Sequence, residues 1–173
     1  AAVNIMDRTY VKVSLLLCDS CWPMMVSWNT PDRVGDSDLE RRIFSAVTGV
    51  EIDGAGLNRY GERIFNLQRG ILLREGRHPK QDDVLEEFNY SDPVETVFMN
   101  PDVIVPGPGE EVVSRKGQTL DRKVFEKLRA EFYELRGWDA VSGLQKVETL
   151  ERLGMSDLVQ DLEKIGLIEG GNK

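Results

Sequence analysis

Cys18 and Cys21 form a C-x-x-C pair, which is the strongest candidate for chemistry in this sequence. A thiolate is the ligand that iron-sulfur clusters prefer, and four such ligands complete a cubane cluster. Two thiols cannot hold a cluster alone. A zinc site would need two further ligands, and a thioredoxin-like site would need a surrounding βαβ pattern. The spacing alone therefore leaves three alternatives open: buried structural thiols, part of a metal site, or a redox pair.

His78 and three arginines are the other groups that could act on a ligand. His78 is the only histidine, and its polar sequence context favours a solvated loop residue over a proton-transfer role. Arg63, Arg69 and Arg74 could bind phosphates or carboxylates as bidentate donors. The favoured interpretation is structural, with Arg74 and the pair Asp82-Asp83 forming an ion-pair network that anchors the following loop. Motifs for nucleotide hydrolysis, dinucleotide binding and zincin chemistry are absent from the sequence.

The elements that must position these residues are predicted to be helices. Apolar residues recur at intervals of three and four, which is typical of amphipathic helices. The first such stripe predicts a buried helix and consists of Met6, Tyr10, Val13 and Leu17. A second predicts a long helix and consists of Leu57, Tyr60, Ile64, Leu67 and Ile71. The predicted helices lie near residues 4–18, 37–48, 56–75, 120–136, 146–153 and 156–165.

Local signals set some of these boundaries. Ser37 and Glu40 form a capping-box pattern at a helix start, and Gly49 predicts a left-handed stop. Gly70 lies inside the long helix and predicts close backbone packing there. Between about residues 78 and 118 proline recurs without a sustained period, which predicts an irregular segment that lines a site or covers a neighbouring surface. Short strands are predicted at Val94 to Phe98 or at Val103 to Val105.

Composition limits the classes of function. The 173 residues carry 30 acidic and 22 basic side chains, a formal charge of −8, which argues against binding to nucleic acid or to an anionic membrane surface. The apolar runs are too short for a membrane span. Two cysteines are too few for a disulfide-built fold, so a reducing, cytoplasmic compartment is expected. The start at Ala1, without an initiator Met or a signal segment, predicts a piece of a longer polypeptide.

Three segments, taken together, form a pattern that extends over most of the chain. They are Gly61 to Gly76 (GERIFNLQRGILLREG), the pair Asp82-Asp83, and Phe132 to Asp139 (FYELRGWD). Together they resemble the C-terminal part of the tungsten-containing aldehyde:ferredoxin oxidoreductase family, over about residues 11–165. The resemblance implies a mainly α fold, an irregular helical bundle like the C-terminal helical domains of that family. It divides the chain into cofactor-proximal helices at 1–76, an irregular loop at 77–118 and C-terminal helices at 119–173.

The resemblance also implies a site. The segment Val13 to Cys18 (VSLLLC) lies on a family segment written D-S-L-G-L-C, whose last residue is a ligand of a 4Fe-4S cluster. Cys18 is thereby the expected cluster ligand, and Cys21 a packed neighbour. Leu16, Leu17 and Asp19 are the expected cofactor contacts.

Two positions depart from the family segment. Val13 replaces an Asp, which removes a hydrogen bond to the pterin, and Leu16 replaces a Gly, which affects a close backbone approach. The Asp19 carboxylate could supply a polar contact instead, although a helix-end or solvent-facing role fits it equally well.

The function that the resemblance implies is that of a C-terminal part of a tungstopterin (or molybdopterin), iron-sulfur oxidoreductase. Its substrate would be an aldehyde or a related carbonyl or acyl compound, and its electrons would pass to ferredoxin or to an electron-transfer subunit. The cysteine segment is similar to that of less typical members, which include the active-site subunits of benzoyl-coenzyme A reductases. N-terminal domains of the same enzyme are the expected partners, a homodimer is allowed, and the isolated piece should be inactive and hold no cofactor. The alternative is a stand-alone helical interaction or scaffold module.

Overall fold

The computed structural model describes residues 1–18 and 30–170, and its regular structure is mainly helical. The prediction of a mainly α fold is confirmed. No helix in this described part is long and apolar enough to cross a membrane. The described residues form eight helices and one two-stranded sheet, in the order α1 (Ala2–Ser14), α2 (Leu39–Thr48), α3 (Gly54–Arg74), α4 (Pro79–Asp82), α5 (Phe88–Ser91), β1 (Ile104–Pro106), β2 (Val112–Ser114), α6 (Arg122–Leu135), α7 (Val147–Arg152) and α8 (Ser156–Lys164).

The six predicted helices are all present, and the first is shorter than expected. Helix α1 ends at Ser14, whereas the prediction extended it to residue 18. The chain leaves the helical path because Leu16 adopts a left-handed backbone conformation, with φ of 58°. Cys18 consequently lies beyond the helix and not on it.

Helix α2 begins differently from the prediction. The capping box at Ser37 is wrong, because the helix starts at Leu39 and no side chain caps it. The Asp36 carboxylate instead accepts a hydrogen bond from the Asp38 backbone amide at 2.9 Å. This bond forms a turn just before the helix. At the other end Gly49 has φ of 72°, so the predicted left-handed stop is confirmed.

Helices α1 and α3 pack at very short range where Gly61 meets Asp7. A Cβ on Gly61 would lie 2.1 Å from the Asp7 carbonyl oxygen, a distance that no side-chain atom tolerates. The residue must therefore be glycine for the two backbones to approach. Leu57 and Val11 are buried in the described structure beside this contact, with 0% and 3% of their surface exposed.

The buried faces of α1 and α3 differ from the predicted apolar stripes. Val13 is 58% exposed, and Leu67 and Ile71 are 47% and 36% exposed. The face of α3 that is buried holds the polar residues Asn66 and Arg69. The stripes are thus only partly correct as predictions of burial, since Leu57 is buried and these three residues are not. The interior of this region is built from hydrogen-bonded polar groups as well as from apolar ones.

Helices α7 and α8 form a small apolar core that closes onto α3. Its buried members are Leu150, Val159 and Leu162. Gly70 of α3 lies against the Leu158 side chain, and a Cβ there would come within 2.7 Å of a methyl group. The predicted close packing at Gly70 is confirmed.

The segment between α3 and α6 is irregular, as predicted, and contains the small sheet. Strands β1 and β2 are antiparallel, with Val105 opposite Val113, so the strand predicted at Val103 to Val105 is nearly correct. The strand predicted at Val94 to Phe98 is wrong, because this described stretch joins no sheet. The division of the chain at residues 76 and 118 stays a prediction.

Candidate functional site

Cys18 directly follows a tight turn that ends α1. In this turn the Leu16 amide donates to the Val13 carbonyl at 3.0 Å, and the Leu17 amide donates to the Lys12 carbonyl at 3.1 Å. This pair of bonds is the Schellman pattern, whose left-handed position is usually glycine. Leu16 occupies that position, so the turn has the backbone that glycine favours even though the residue is leucine. The strain costs about 1 to 2 kcal/mol.

The predicted site residues share this turn as far as the structure describes them. Leu16 is 93% exposed, Leu17 is partly exposed, and Cys18 is exposed. Asp19 and Cys21 lie outside the described residues. Within residues 1–18 and 30–170, no cluster of three or more His, Cys, Asp or Glu side chains could hold a metal ion.

A second concentration of functional groups surrounds Asp83. Arg69 donates to both carboxylate oxygens, at 3.1 and 2.6 Å, and Arg77 donates twice to one of them, at 3.0 and 2.8 Å. The Tyr133 hydroxyl donates to the other oxygen at 2.6 Å. Arg129 donates to the Asp83 backbone carbonyl at 2.9 Å. These bonds fix the chain after α4 to both α3 and α6.

The prediction of an ion-pair network is correct for Asp83. It is wrong for the basic partner, which was expected to be Arg74. Arg74 is exposed, and the partner that reaches Asp83 from the buried face of α3 is Arg69. Asp82 has a different role, since its carboxylate accepts the His78 backbone amide at 2.6 Å. His78 is exposed just before α4, as expected for a solvated loop histidine.

The Asp83 and Tyr133 side chains have shifted pKa values. Burial alone would raise the pKa of Asp83, but hydrogen bonds from Arg69, Tyr133 and Arg77 outweigh it and hold the pKa below its ordinary value. Burial, together with the hydrogen bond to Asp83, raises the pKa of Tyr133 to about 12. At neutral pH the carboxylate is therefore ionised and the phenol is protonated.

A buried ion pair joins α1 to the end of α6. Arg136 donates to the Asp7 carboxylate, and its side chain is fully buried. The guanidinium carbon lies 4.1 Å from the ring centroid of Phe65 and 5.4 Å from that of Phe132. Burial raises the pKa of Asp7 in spite of the bond from Arg136. Pairing and two cation–π contacts compensate the buried charge of Arg136.

Asn66 connects α3 to the chain beyond α6. Its side-chain oxygen accepts from the Trp138 indole at 2.9 Å and from the Gln145 amide at 2.7 Å. The Trp138 ring stacks on Phe65 with centroids 5.6 Å apart. Nothing local in the sequence identifies Asn66 as the partner of Trp138, because the two residues lie 72 positions apart.

A cleft of about 650 Å³ opens between α1, α3 and α6, and we call it the three-helix cleft. Arg69 lies in it with its guanidinium carbon 4.6 Å from the Trp138 ring centroid. Leu72 and Leu128 line the cleft beside the aromatic walls. The aromatic walls are formed by Tyr10, Phe65, Phe125, Phe132, Tyr133 and Trp138. The cleft was not foreseen from the sequence, because its walls come from three separate helices.

Comparison with known proteins identifies relatives of the chain. Residues 1–155 match the family model described as aldehyde ferredoxin oxidoreductase, domains 2 and 3. The tungsten-containing aldehyde ferredoxin oxidoreductase of Pyrococcus furiosus is 28% identical over 121 residues, which is 70% of this chain and 17% of that protein.

A solved structure has a similar fold. It is the active site complex BamBC of benzoyl coenzyme A reductase in complex with 1,5-dienoyl-CoA, with a TM-score of 0.51 and 19% sequence identity. The match covers 76% of this chain and 16% of that one. The chain thus spans about a sixth of the length of both proteins. With the family model matching most of its residues, the chain belongs to the aldehyde ferredoxin oxidoreductase family, in the region of domains 2 and 3.

Proposed function

We propose that this chain is part of a tungstopterin, iron-sulfur oxidoreductase and that Cys18 supplies one ligand to its 4Fe-4S cluster. The observation that carries the proposal is the turn at Leu16. Its left-handed backbone occupies the position where the family segment has glycine, and Cys18 follows two residues later, exposed. The substitution of leucine for glycine is thereby compatible with the backbone path that presents the thiol.

In this proposal each described residue has a limited role. When bound, the tungsten centre, or molybdenum in its place, would supply the exchange of oxygen or hydride equivalents with the substrate, and the cluster would supply electron transfer. Cys18 binds cluster iron, and the exposed Leu16 and the partly exposed Leu17 provide an apolar wall against the cofactor. Asp19 contributes a polar contact to the cofactor. Asp83 and its partners act at a distance, since they hold α3 to α6 and α3 packs against α1, which carries this turn.

The proposal extends to the complete enzyme. We infer that its substrate is an aldehyde or a related carbonyl or acyl compound, and that ferredoxin or an electron-transfer subunit accepts its electrons in the cytoplasm. N-terminal domains of the same polypeptide provide the remaining cluster ligands, since a cubane needs four. On its own, the 173-residue chain should hold neither tungsten nor an intact cluster and should be inactive. We also propose that the enzyme forms a homodimer and that it is related to the branch of the family that includes the benzoyl-coenzyme A reductases.

One observation favours a second candidate, a helical interaction or scaffold module without a cofactor. Val13 stands where the family segment has Asp, and its side chain is more than half exposed. An apolar group there cannot make the hydrogen bond to a pterin that a carboxylate makes. This candidate predicts that the complete protein contains neither iron nor tungsten.

Metal analysis of the complete protein, expressed from its whole reading frame, tests the proposal. We expect about four iron atoms per chain together with tungsten or molybdenum. Cys18→Ala should lose most of the iron, whereas Cys21→Ala, the matched control, should keep it. Normal iron in Cys18→Ala would refute the ligand assignment. A protein without iron or tungsten under anaerobic, tungsten-supplied expression would favour the scaffold module.

A further inference from the structure

The three-helix cleft combines apolar walls with an excess of positive charge. Its charged lining consists of Arg69, Arg77 and Arg129 against the single carboxylate of Asp83. Tyr133 adds no charge at neutral pH, because its pKa is raised to about 12. The cleft is therefore positive by two charges, although the whole chain carries −8.

Arg129 is the arginine whose charge is least compensated. It donates to the backbone carbonyl of Asp83, and its guanidinium carbon lies 5.8 Å from the Phe125 ring centroid. Neither contact neutralises a full charge. Within the described residues no carboxylate forms an ion pair with Arg129, whereas Arg69 and Arg77 both pair with Asp83. The partly exposed Arg129 is thus placed to bind an anion that enters the cleft.

The apolar surface continues from the cleft along α6. Val124, Leu128 and Leu135 are exposed and lie on one side of that helix, since they are four and seven residues apart. The stripe is about 16 Å long at 1.5 Å per residue. That length suits a polypeptide segment such as a helix, and it exceeds what a small anion would cover.

We propose that the three-helix cleft is the docking site for an apolar segment that carries a carboxylate, and that this segment comes from the rest of the same enzyme. The inference rests on the proposed function, which places this chain within a larger polypeptide. Two observations favour that source. The chain spans about a sixth of its relatives' length, and the positive charge of Arg129, which has no ion pair among the described residues, is complementary to an Asp or Glu flanked by apolar residues.

Site-specific photo-crosslinking in the complete enzyme identifies the occupant. A benzophenone amino acid replaces Leu128 in the cleft, and the same group replaces Val47, which is exposed on α2 away from it, as the control. After irradiation, peptide mass spectrometry should find Leu128 joined to a segment of the same polypeptide outside residues 1–173, with an Asp or Glu within one helical turn of the linkage. Crosslinks only within residues 1–173, only to a second copy of the chain, only to a different protein, or to no segment at all would overturn the proposal.

A charge reversal tests the role of Arg129. Arg129→Glu in the complete enzyme should speed hydrogen exchange in the segments 65–72 and 124–133 by about tenfold, which corresponds to one weakened ion pair. Lys123→Glu, near the start of the same helix and outside the cleft, should not speed exchange in these segments. Exchange in 147–164 reports whether the fold is intact. Reversing the crosslinked carboxylate to Arg as well should restore slow exchange, and failure to restore it would contradict the pairing.

Different measurements test the docking site and the proposed function. Docking is measured by crosslinks and exchange rates, and the proposed function by iron and tungsten content. An enzyme with normal metal content and no same-chain crosslink would refute the docking inference alone. An enzyme without metals, but with the crosslink, would refute the cofactor proposal and keep the docking site.

Discussion

Gly61 lies against the Asp7 carbonyl so closely that a methyl group in place of its hydrogen would stand 2.1 Å from the oxygen. The obstacle is main chain, so it cannot rotate away as a side chain would. The two helices can relieve the clash only by separating, which would loosen the pair between Asp7 and Arg136. The absence of a side chain at Gly61 thus allows the short distance between α1 and α3.

Gly61→Ala should destabilise the protein by about 3 kcal/mol or more, because overpacking against backbone forces the helices apart. Gly54→Ala is the matched control. A Cβ at Gly54 meets nothing within 4 Å, so this variant should be neutral or slightly stabilising. Urea unfolding followed by circular dichroism measures both. Equal stability of the two variants would show that the close contact does not exist.

Leu16→Gly should stabilise the protein by about 1 kcal/mol, because it relieves the strain of leucine at φ of 58°. The side chain is almost fully exposed, so its removal loses little buried surface. Leu15→Gly, one residue earlier at φ of −84°, should instead destabilise by about 0.5 to 1 kcal/mol. Thermal unfolding of both variants checks the opposite signs. A loss of stability in Leu16→Gly would contradict the left-handed conformation.

Asp83→Asn should destabilise the protein by about 3 kcal/mol, because it leaves the buried guanidinium of Arg69 without its counter-charge. Glu86→Gln, three residues along the chain and exposed, should change stability by less than about 0.5 kcal/mol. Denaturant unfolding at pH 7 measures the difference. A small effect at Asp83 would mean that the network does not anchor the chain after α4.

The pH dependence of stability should reflect the lowered pKa of Asp83. The folded pKa lies below the unfolded value of about 4, so the stabilisation is complete above about pH 4 and is lost as pH falls through the folded pKa. In the Asp83→Asn variant this acid-induced loss should be smaller. Unfolding free energies between pH 2 and 7 give both profiles. Parallel profiles for wild type and variant would contradict the shift.

Tyr133→Phe should cost about 1.5 to 3 kcal/mol, because it removes a hydrogen bond to an ionised carboxylate. Tyr60→Phe, on the more exposed face of α3, should have little effect. An absorbance titration of the phenols should find one group with a pKa of about 12 in the wild type, and Tyr133→Phe should lack it. Loss of the same step in Tyr60→Phe would reverse the assignment.

The sequence predicts local structure well and long-range polar contacts poorly. Apolar periodicity and helix-cap signals together located all six predicted helices, and Gly49 marked a helix end correctly. The buried face of α3 was mistaken because Asn66 and Arg69 are stabilised by groups far along the chain, such as Gln145 and the Gly143 carbonyl. No local sequence pattern indicates such partners, so the apolar stripe was the only guide to which face of α3 is buried.

The candidate site was also predicted only in part. The resemblance directed attention to the segment that ends at Cys18, and to the acidic residue Asp83. It could not indicate that Leu16 would keep a left-handed backbone, which depends on two hydrogen bonds of the turn. The choice of Arg74 as the cation also failed, since Arg69 and Arg74 lie on different faces of one helix and only tertiary packing selects between them.

The pair between Asp7 and Arg136 joins residues 129 positions apart and has a practical consequence for the expression of shorter pieces of this chain. Closing so long a loop is slow compared with forming any single helix, so α1 should reach its place late in folding. Until α1 packs against α3, the Arg136 guanidinium can contact two aromatic rings but has no counter-charge. A shorter expressed piece that begins after α1 would hold the guanidinium permanently in that condition, and it would be prone to aggregate. The first turns of α1 therefore mark the minimal N-terminal boundary for producing this region in folded form.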